Sequence, residues 1–243
     1  MVPPINLIIN LTLLVTMSSI PNKLKSIAPS SLKNKFYALR HGQSLANVAK
    51  IISSDPKIST VEHGLSDVGR EQVKASVAAF SVTHMKNKDD EKYSGVAVYA
   101  SDFTRAKETA AIFAKGLKEA NIPVKGGDVI SEIRLRERYF GKWNGKSDIH
   151  YNDVWKFDCE DPNHTEEDVE SVNSVMERTS GLVLEIEEQL KSNSDETYKV
   201  ILVAHGDVLQ ILQTAFQKKN GSVHRSLEHL ETATVREFVL SEE

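Results

Sequence analysis

The chain has 243 residues, of which 40% are hydrophobic and 26% are charged, the balance of an ordinary globular protein with one domain. A formal net charge of −4 gives no overall attraction to nucleic acid or to an anionic membrane, so we expect neither as a partner. The single cysteine, Cys159, excludes an intramolecular disulfide and a thiolate metal cluster. It fits a reducing compartment, and we predict a cytoplasmic protein.

The amino-terminal residues differ in character from the rest of the chain. Residues 5–16 are largely apolar, but this run is too short to span a bilayer, and no Lys or Arg precedes it as in a secretory signal. Met17 offers a second plausible start, followed by a stretch rich in Ser, Pro and Lys. We therefore interpret residues 1–34 as an extension outside the fold, either disordered or a weak targeting segment, and residues 35–243 as the folded domain.

From Lys35 onward, apolar runs typical of buried strands alternate with amphipathic patterns typical of helices. The predicted strands cover residues 36–39, 95–100, 124–130, 199–204 and 233–240. One predicted helix begins after Ser66, which is its cap candidate. Three other helices are predicted over residues 106–120, 172–190 and 208–216. This alternation predicts an α/β fold, a three-layer α/β/α sandwich with a mostly parallel central sheet.

Basic and imidazole side chains follow the ends of three of these strands. Arg40 and His41 follow the first strand, Arg105 comes soon after the second, and His205 follows the fourth. Because open α/β sheets bind ligands at the carboxyl ends of their strands, we expect these groups to meet in one crevice.

Two arginines and two histidines at one crevice suit a tetrahedral dianion. Guanidinium groups bind phosphate oxygens with a fork of donors and keep their charge. A neutral imidazole can attack phosphorus and form a phosphohistidine, and flanking guanidinium charges keep it neutral. The leaving alkoxide then needs a nearby carboxylic acid. This chemistry requires neither a metal nor another cofactor.

Five segments resemble, in the same order, the landmarks of the histidine phosphatase superfamily, also called the phosphoglycerate-mutase-like family. They are Leu-Arg-His-Gly-Gln-Ser at 39–44 with Asn47, Leu-Ser-Asp-Val-Gly at 65–69, Ser-Asp-Phe-Thr-Arg-Ala at 101–106, the run from Leu135 through Gly141 to Trp-Asn-Gly at 143–145, and Val-Ala-His-Gly at 203–206. The resemblance extends from Phe36 to about Leu240.

The resemblance implies a metal-independent phosphatase that acts on a small phosphorylated metabolite. His41 would be the residue that is phosphorylated, and Glu137 would protonate the leaving group and later activate water. The phosphoryl group would be held by Arg40, Asn47, Arg105 and His205. Residues 144–170 would help to cover the site, and Arg136, Arg138 and Lys142 are candidates to hold a second acidic group of the substrate.

Four alternatives stay open at this point. The Trp-Asn and Thr-Gly-Trp stretches that follow the first histidine in glycolytic mutases are replaced here by Ser-Leu-Ala-Asn at 44–47 and Ile-Ser-Ser at 52–54. This favours a phosphatase, with a phosphoglycerate-mutase-type phosphotransferase as runner-up. Asp207 competes with Glu137 as the acid, although Gly206 separates it from His205. Gly-Gln-Ser-Leu-Ala at 42–46 approaches a nucleophile elbow, so Ser44 could belong to an acyl hydrolase with Glu137 and His205. The fourth is a non-catalytic phosphate-binding module. The other six histidines are interpreted as surface or packing residues.

Overall fold

The computed structural model describes residues 20–85, 92–193 and 196–242. Five strands within these ranges form one sheet in the order β3-β2-β4-β1-β5. Neighbouring strands are parallel except for β5, which is antiparallel to β1. The strands are β1 (Lys35–Arg40), β2 (Tyr93–Ala100), β3 (Ile130–Ser131), β4 (Thr197–Ala204) and β5 (Val235–Phe238).

Helices cover both faces of this sheet. The side chains of α3 and α4 pack on one face, and those of α6 and α7 pack on the other. The predicted three-layer α/β/α sandwich with a mostly parallel sheet is therefore confirmed. The α-helices among the described residues are α1 (Leu45–Ala49), α2 (Pro56–Ser59), α3 (Asp67–His84), α4 (Thr104–Glu119), α5 (Tyr151–Glu160), α6 (Val172–Asn193) and α7 (Gly206–Phe216).

The central strands are apolar on both faces, as expected for a covered parallel sheet. In β1, Phe36 and Ala38 enter the core beneath α6 and α7, whereas Tyr37 and Leu39 enter the core beneath α3 and α4. Successive side chains of a strand point to opposite faces, so this uninterrupted apolar run serves both cores. Strand β4 follows the same pattern, with seven of its eight residues buried.

Strand register brings the carboxyl ends of β1, β2 and β4 together. Arg40 lies opposite Ala204, and Ala100 lies opposite Val203. The backbone N–H of His41 donates to the Ala204 carbonyl over 3.0 Å, which carries the pairing one residue past β1. The residues that follow these three strands are therefore held close to one another by backbone pairing.

The expectation that residues 1–34 lie outside the fold is wrong for residues 20–34. Leu24 is fully buried in the core beneath α6 and α7, and the Asn22 side chain donates to the Ala215 carbonyl over 2.9 Å. The Glu187 carboxylate accepts hydrogen bonds from the backbone N–H groups of Lys33 and Asn34. These scattered anchors have no helical or strand period, which is why the sequence pattern does not show them. The apolar run and Met17 lie outside the described residues.

Four further elements differ from the predictions, namely β3, α5 and the short helices α1 and α2, which the sequence pattern does not predict. The weak strand expected at 124–130 shortens to β3, because Gly126 and Gly127 adopt positive φ angles and turn the chain out of the sheet direction. Helix α5 was not predicted from the sequence as an element. Among the described residues, no helix is long and apolar enough to cross a membrane.

Candidate active site

One cavity of about 230 Å³ opens at the carboxyl ends of β1, β2 and β4. Of the six residues predicted for the site, all but His205 line this cavity, and the His205 ring contacts the His41 ring with 5.2 Å between centroids. We call Arg40, His41, Arg105 and His205 the inner cluster. The structure therefore brings together residues that are up to 165 positions apart in the sequence.

The His41 imidazole is buried and held in one orientation. Its Nδ1 lies 2.7 Å from the Gly42 carbonyl, which can only accept, so Nδ1 carries the proton and Nε2 keeps its lone pair. Burial, followed by the charges of Arg105 and Arg40, holds the pKa of His41 well below its ordinary value. The ring is therefore neutral near pH 7, with an unprotonated nitrogen at the cavity.

Arg105 lies in the first turn of α4, where a cation opposes the helix dipole. Its Nε–H donates to His41 Nε2 over 3.2 Å, and Nη2 donates to the Ser53 carbonyl over 2.9 Å. Its Nη1 is buried and has no hydrogen-bond partner among the described residues. An unpaired buried donor is costly unless a ligand accepts from it, so this position suits an anion.

Arg40, the last residue of β1, is anchored by one nitrogen and leaves another for a ligand. Its Nη1 donates to the Leu230 carbonyl over 2.9 Å and to His229 Nε2 over 3.0 Å. Its buried Nε has no partner among the described residues. Gly206 makes room for this side chain, because a Cβ at that position would lie 3.2 Å from the guanidinium carbon.

His205 caps the start of α7 and is fully buried. Its Nε2 lies 3.0 Å from the Ser101 hydroxyl, whereas Nδ1 has no hydrogen-bond partner within the described part of the chain. Burial and then the charge of Arg105 hold its pKa well below the ordinary value. The inner cluster therefore combines two permanent cations with two neutral imidazoles.

Ser44 and Asn47 form the start of the short helix α1. The Asn47 Oδ1 accepts hydrogen bonds from the Ser44 backbone N–H and from the Ser44 hydroxyl, both over 3.0 Å. This capping box leaves the Asn47 amide nitrogen without a partner among the described residues, as a donor on a side chain that lines the cavity. The Ser44 hydroxyl makes its hydrogen bonds within this cap and none to an imidazole. This argues against the acyl-hydrolase alternative, in which a histidine would activate Ser44.

Two of the carboxylates that line the cavity, Glu137 and Asp207, have opposite properties. Burial raises the pKa of Glu137 to about 7, with a smaller contribution from Asp207, although Arg105 and Arg40 act in the other direction. Burial would also raise the pKa of Asp207, but the contact with His224 and the charge of Arg138 lower it below its ordinary value. Of these two, Glu137 is therefore the one poised to give and take a proton near neutral pH.

Asp207 belongs to a buried ion cluster beneath the cavity. The fully buried Arg138 guanidinium binds both oxygens of Asp158 over 2.7 Å and Asp207 over 3.2 Å. The Trp155 indole N–H donates to Asp207 over 3.1 Å, and the buried His224 lies 3.3 Å from the same carboxylate. This cluster joins the segment after Glu137, α5, α7 and the turn at 221–226.

The residues proposed to hold a second acidic group are occupied elsewhere. Arg136 makes a two-pronged ion pair with Asp102 at 2.8 and 2.6 Å, and Arg138 is bound within the buried cluster. Lys142 is exposed and pairs with Glu167 over 3.3 Å. None of the three lines the cavity. That prediction is therefore wrong.

Several residues that line the cavity were missed by sequence reasoning. Tyr151 and Trp155 come from α5, which confirms the prediction that residues 144–170 help to cover the site. His229 was interpreted as a surface or packing residue, yet it binds Arg40. These positions carry no motif or periodic signal. We call the following five cavity residues the outer cluster: Asp148, Tyr151, Trp155, Arg225 and His229.

Comparison with known proteins places this geometry in a family. Residues 36–243 match the family model of the histidine phosphatase superfamily (branch 1). The broad-specificity phosphatase YOR283W of Saccharomyces cerevisiae is 24% identical over 207 residues, which cover 84% of this chain and 80% of that protein.

Solved structures with the same fold include two from bacteria. The mycobacterial glucosyl-3-phosphoglycerate phosphatase Rv2419c superposes with a TM-score of 0.62 at 24% identity, covering 84% of this chain and 89% of that one. YhfR of Bacillus stearothermophilus superposes with a TM-score of 0.60 at 24% identity, covering 83% and 89% of the two chains.

Proposed function

The chain belongs to the histidine phosphatase superfamily and is a phosphatase, and from this premise we propose that it hydrolyses phosphomonoesters through a phosphohistidine on His41. The observation that carries the proposal is the unprotonated Nε2 of His41, which accepts a hydrogen bond from Arg105 Nε over 3.2 Å on a ring that burial keeps neutral. A neutral imidazole beside fixed positive charge is arranged to attack a phosphate dianion.

The first step forms a bond between His41 Nε2 and phosphorus as the ester P–O bond breaks. Arg40 and Arg105 face the phosphoryl oxygens with unpartnered donors, and the Asn47 amide adds another. In phosphoryl transfer, catalysis comes mainly from positioning and from charge stabilisation of this kind. The Glu137 acid gives its proton to the departing alkoxide, so an uncharged alcohol leaves.

The second step returns the enzyme to its starting state. Glu137, now a carboxylate, takes a proton from water as the water oxygen attacks phosphorus. The bond from phosphorus to His41 breaks, and inorganic phosphate leaves with the imidazole restored. The pKa of about 7 for Glu137 suits a group that must act once as an acid and once as a base.

A cavity volume of about 230 Å³ lies at the small end for ligand sites, which supports a small phosphorylated metabolite as the substrate. We also propose a cytoplasmic location. The chain has a single cysteine, Cys159, which is free and exposed, and this is typical of proteins in a reducing compartment.

The decisive experiment compares wild type with His41→Ala in the hydrolysis of p-nitrophenyl phosphate in the presence of EDTA. We expect wild type to release p-nitrophenol and His41→Ala to lose at least about 10³-fold in kcat, since the nucleophile is gone. His150→Asn, which removes an imidazole outside the cavity, is the matched control and should keep wild-type activity.

Trapping the intermediate completes this test. Wild type quenched in alkali during turnover should carry a phosphoryl group on His41, detected by mass spectrometry of the peptide. Equal turnover by wild type and His41→Ala would contradict the proposal. Binding of phosphate esters by folded wild type without any turnover would instead support the non-catalytic phosphate-binding alternative.

A further inference from the structure

We propose that the outer cluster selects phosphate esters of uncharged polyols, and that Asp148 disfavours substrates with a second anionic group. This inference rests on the phosphatase activity proposed above and concerns the part of the substrate that leaves. The evidence is the charge and the free hydrogen-bonding capacity of the residues that line the cavity beyond the inner cluster.

Arg225 has its positive charge matched within the protein. Its Nη1 donates to the Gln210 side chain and lies 3.8 Å from the Asp207 carboxylate. The guanidinium also stacks on the Trp155 ring, with 3.7 Å from its carbon to the ring centroid. Because Asp207 lies beside this cation and is ionised, Arg225 offers hydrogen-bond donors to a ligand without a full uncompensated charge.

The other guanidinium groups near the cavity fall into two groups, those with an ion pair in the protein and those without one. Arg138 is bound on both prongs by Asp158, whereas Arg40 and Arg105 have no ion pair within the described residues. Two uncompensated guanidinium groups match the two charges of one phosphate monoester dianion. No cation lining the cavity, in the part of the chain described, is left to balance a third negative charge.

Asp148 adds a negative charge at the mouth of the cavity. Its side chain is exposed and makes no hydrogen bond or ion pair with any described residue, while its backbone N–H donates to the Lys50 carbonyl over 2.9 Å and fixes its position. A carboxylate or second phosphate on the leaving group would face this charge. Like charges at close range cost about fivefold or more in binding even with the solvent screening of a cavity mouth.

Hydroxyl groups, in contrast, find suitable partners throughout the outer cluster. The Tyr151 hydroxyl can both donate and accept, and the Asp148 carboxylate accepts. Arg225 uses its Nη1 for Gln210, and its Nε and Nη2 are two further donors on the same side chain. The Tyr151 ring is held in place by a parallel stack on Trp155 at 5.2 Å and by an edge contact with Phe140 at 4.8 Å. A rigid set of donors and acceptors without net positive charge suits a polyol.

The test uses three esters with the same three-carbon skeleton: isopropyl phosphate, glycerol 2-phosphate and 2-phosphoglycerate. They present, respectively, no further polar group, two hydroxyls, and one hydroxyl with one carboxylate. We expect wild type to show the highest kcat/KM with glycerol 2-phosphate. Asp148→Asn should raise kcat/KM for 2-phosphoglycerate about fivefold relative to glycerol 2-phosphate, because it removes the repulsion.

Two further variants separate charge from hydroxyl recognition. Tyr151→Phe keeps the ring stack and should lower kcat/KM for glycerol 2-phosphate about fivefold relative to isopropyl phosphate. Asp153→Asn removes a carboxylate from α5 that pairs with His150 and Lys156 outside this cavity, and it should leave all three ratios unchanged.

The outcomes distinguish this inference from the function on which it rests. Two results would overturn the inference and leave the phosphatase mechanism standing. One is hydrolysis of all three esters with the highest kcat/KM for 2-phosphoglycerate. The other is a set of kcat/KM ratios between the esters that Asp148→Asn and Tyr151→Phe do not change. A folded wild-type protein that hydrolyses none of the esters, nor p-nitrophenyl phosphate, would contradict the proposed function and the inference together.

Discussion

The inner and outer clusters face the same cavity but are held in place by different means. His41, Arg105 and His205 follow strands whose backbone pairing fixes them, and each is almost fully buried. Tyr151, Trp155 and Arg225 come from segments outside the sheet, and the buried Arg138 cluster beneath them ties those segments together. The sheet therefore positions the residues of phosphoryl transfer, whereas the residues around the leaving group depend on the ion cluster and on loop and ring contacts outside the sheet.

The largest expected effect lies in the inner cluster. Arg105→Met should lower kcat by about 10³-fold or more, because a guanidinium that stabilises phosphoryl transfer contributes on that scale. The free energy of unfolding should change little, since Arg105 is a buried cation without an ion pair among the described residues. Arg70→Met, which removes an exposed partner of Glu108, is the control and should keep full activity. If Arg105→Met lost its activity because it unfolded, Arg105 would support the fold as well as the chemistry, which would contradict the contrast between the two clusters.

The next effect concerns the acid. Glu137→Gln should lower kcat/KM for glycerol 2-phosphate by about 10²-fold or more, and should matter less for p-nitrophenyl phosphate, whose leaving group needs no proton. Wild-type kcat/KM for the glycerol ester should fall as the pH rises through about 7, because Glu137 loses the proton that it must donate. Glu185→Gln, on the surface, should retain the wild-type profile. An unchanged pH profile in Glu137→Gln would point to another acid.

A smaller effect on stability should sharpen the contrast with the outer cluster. Arg138→Met leaves Asp158 and Asp207 without their shared cation, which should lower the free energy of unfolding by about 3 kcal/mol. Urea unfolding measures this loss, and Arg134→Met should cost under about 1 kcal/mol because its ion pairs are partly exposed. In the fraction of Arg138→Met that stays folded, KM for glycerol 2-phosphate should rise by a larger factor than kcat falls. The reverse would mean that the cluster supports the inner residues instead.

The same difference explains how much could be predicted from the sequence. Apolar runs located the strands, and parallel strands end at one edge, so Arg40, Arg105 and His205 could be assigned to one crevice before their contacts were known. Helix α5 is tied to Arg138 through Asp158, and the turn at 221–226 is tied to Asp207 through His224 and Arg225. These long-range contacts leave no period in the sequence. The ionised Asp207 likewise follows from its neighbours rather than from its place in a motif.

The start of the folded domain is a second feature that could be predicted only in part from the sequence. The change in composition at Lys35 coincides with the start of the family match at residue 36, so sequence pattern and family model agree there. Residues 20–34 nevertheless belong to the folded body, because Leu24 is buried in the core and Asn34 is bound by Glu187. A few well-placed contacts are enough to hold an irregular segment, and such contacts have no local signature.

The placement of residues 20–40 also governs the order in which the chain can fold during synthesis. Asn22 binds Ala215, which is 193 positions away, and β1 lies between β4 and β5, which are both translated more than 150 residues later. The first part of the folded body to leave the ribosome therefore finds its partners last. Because such distant pairings must wait for chain closure, we expect folding to finish only after β4, α7 and β5 have been synthesised, and to be slow for its size.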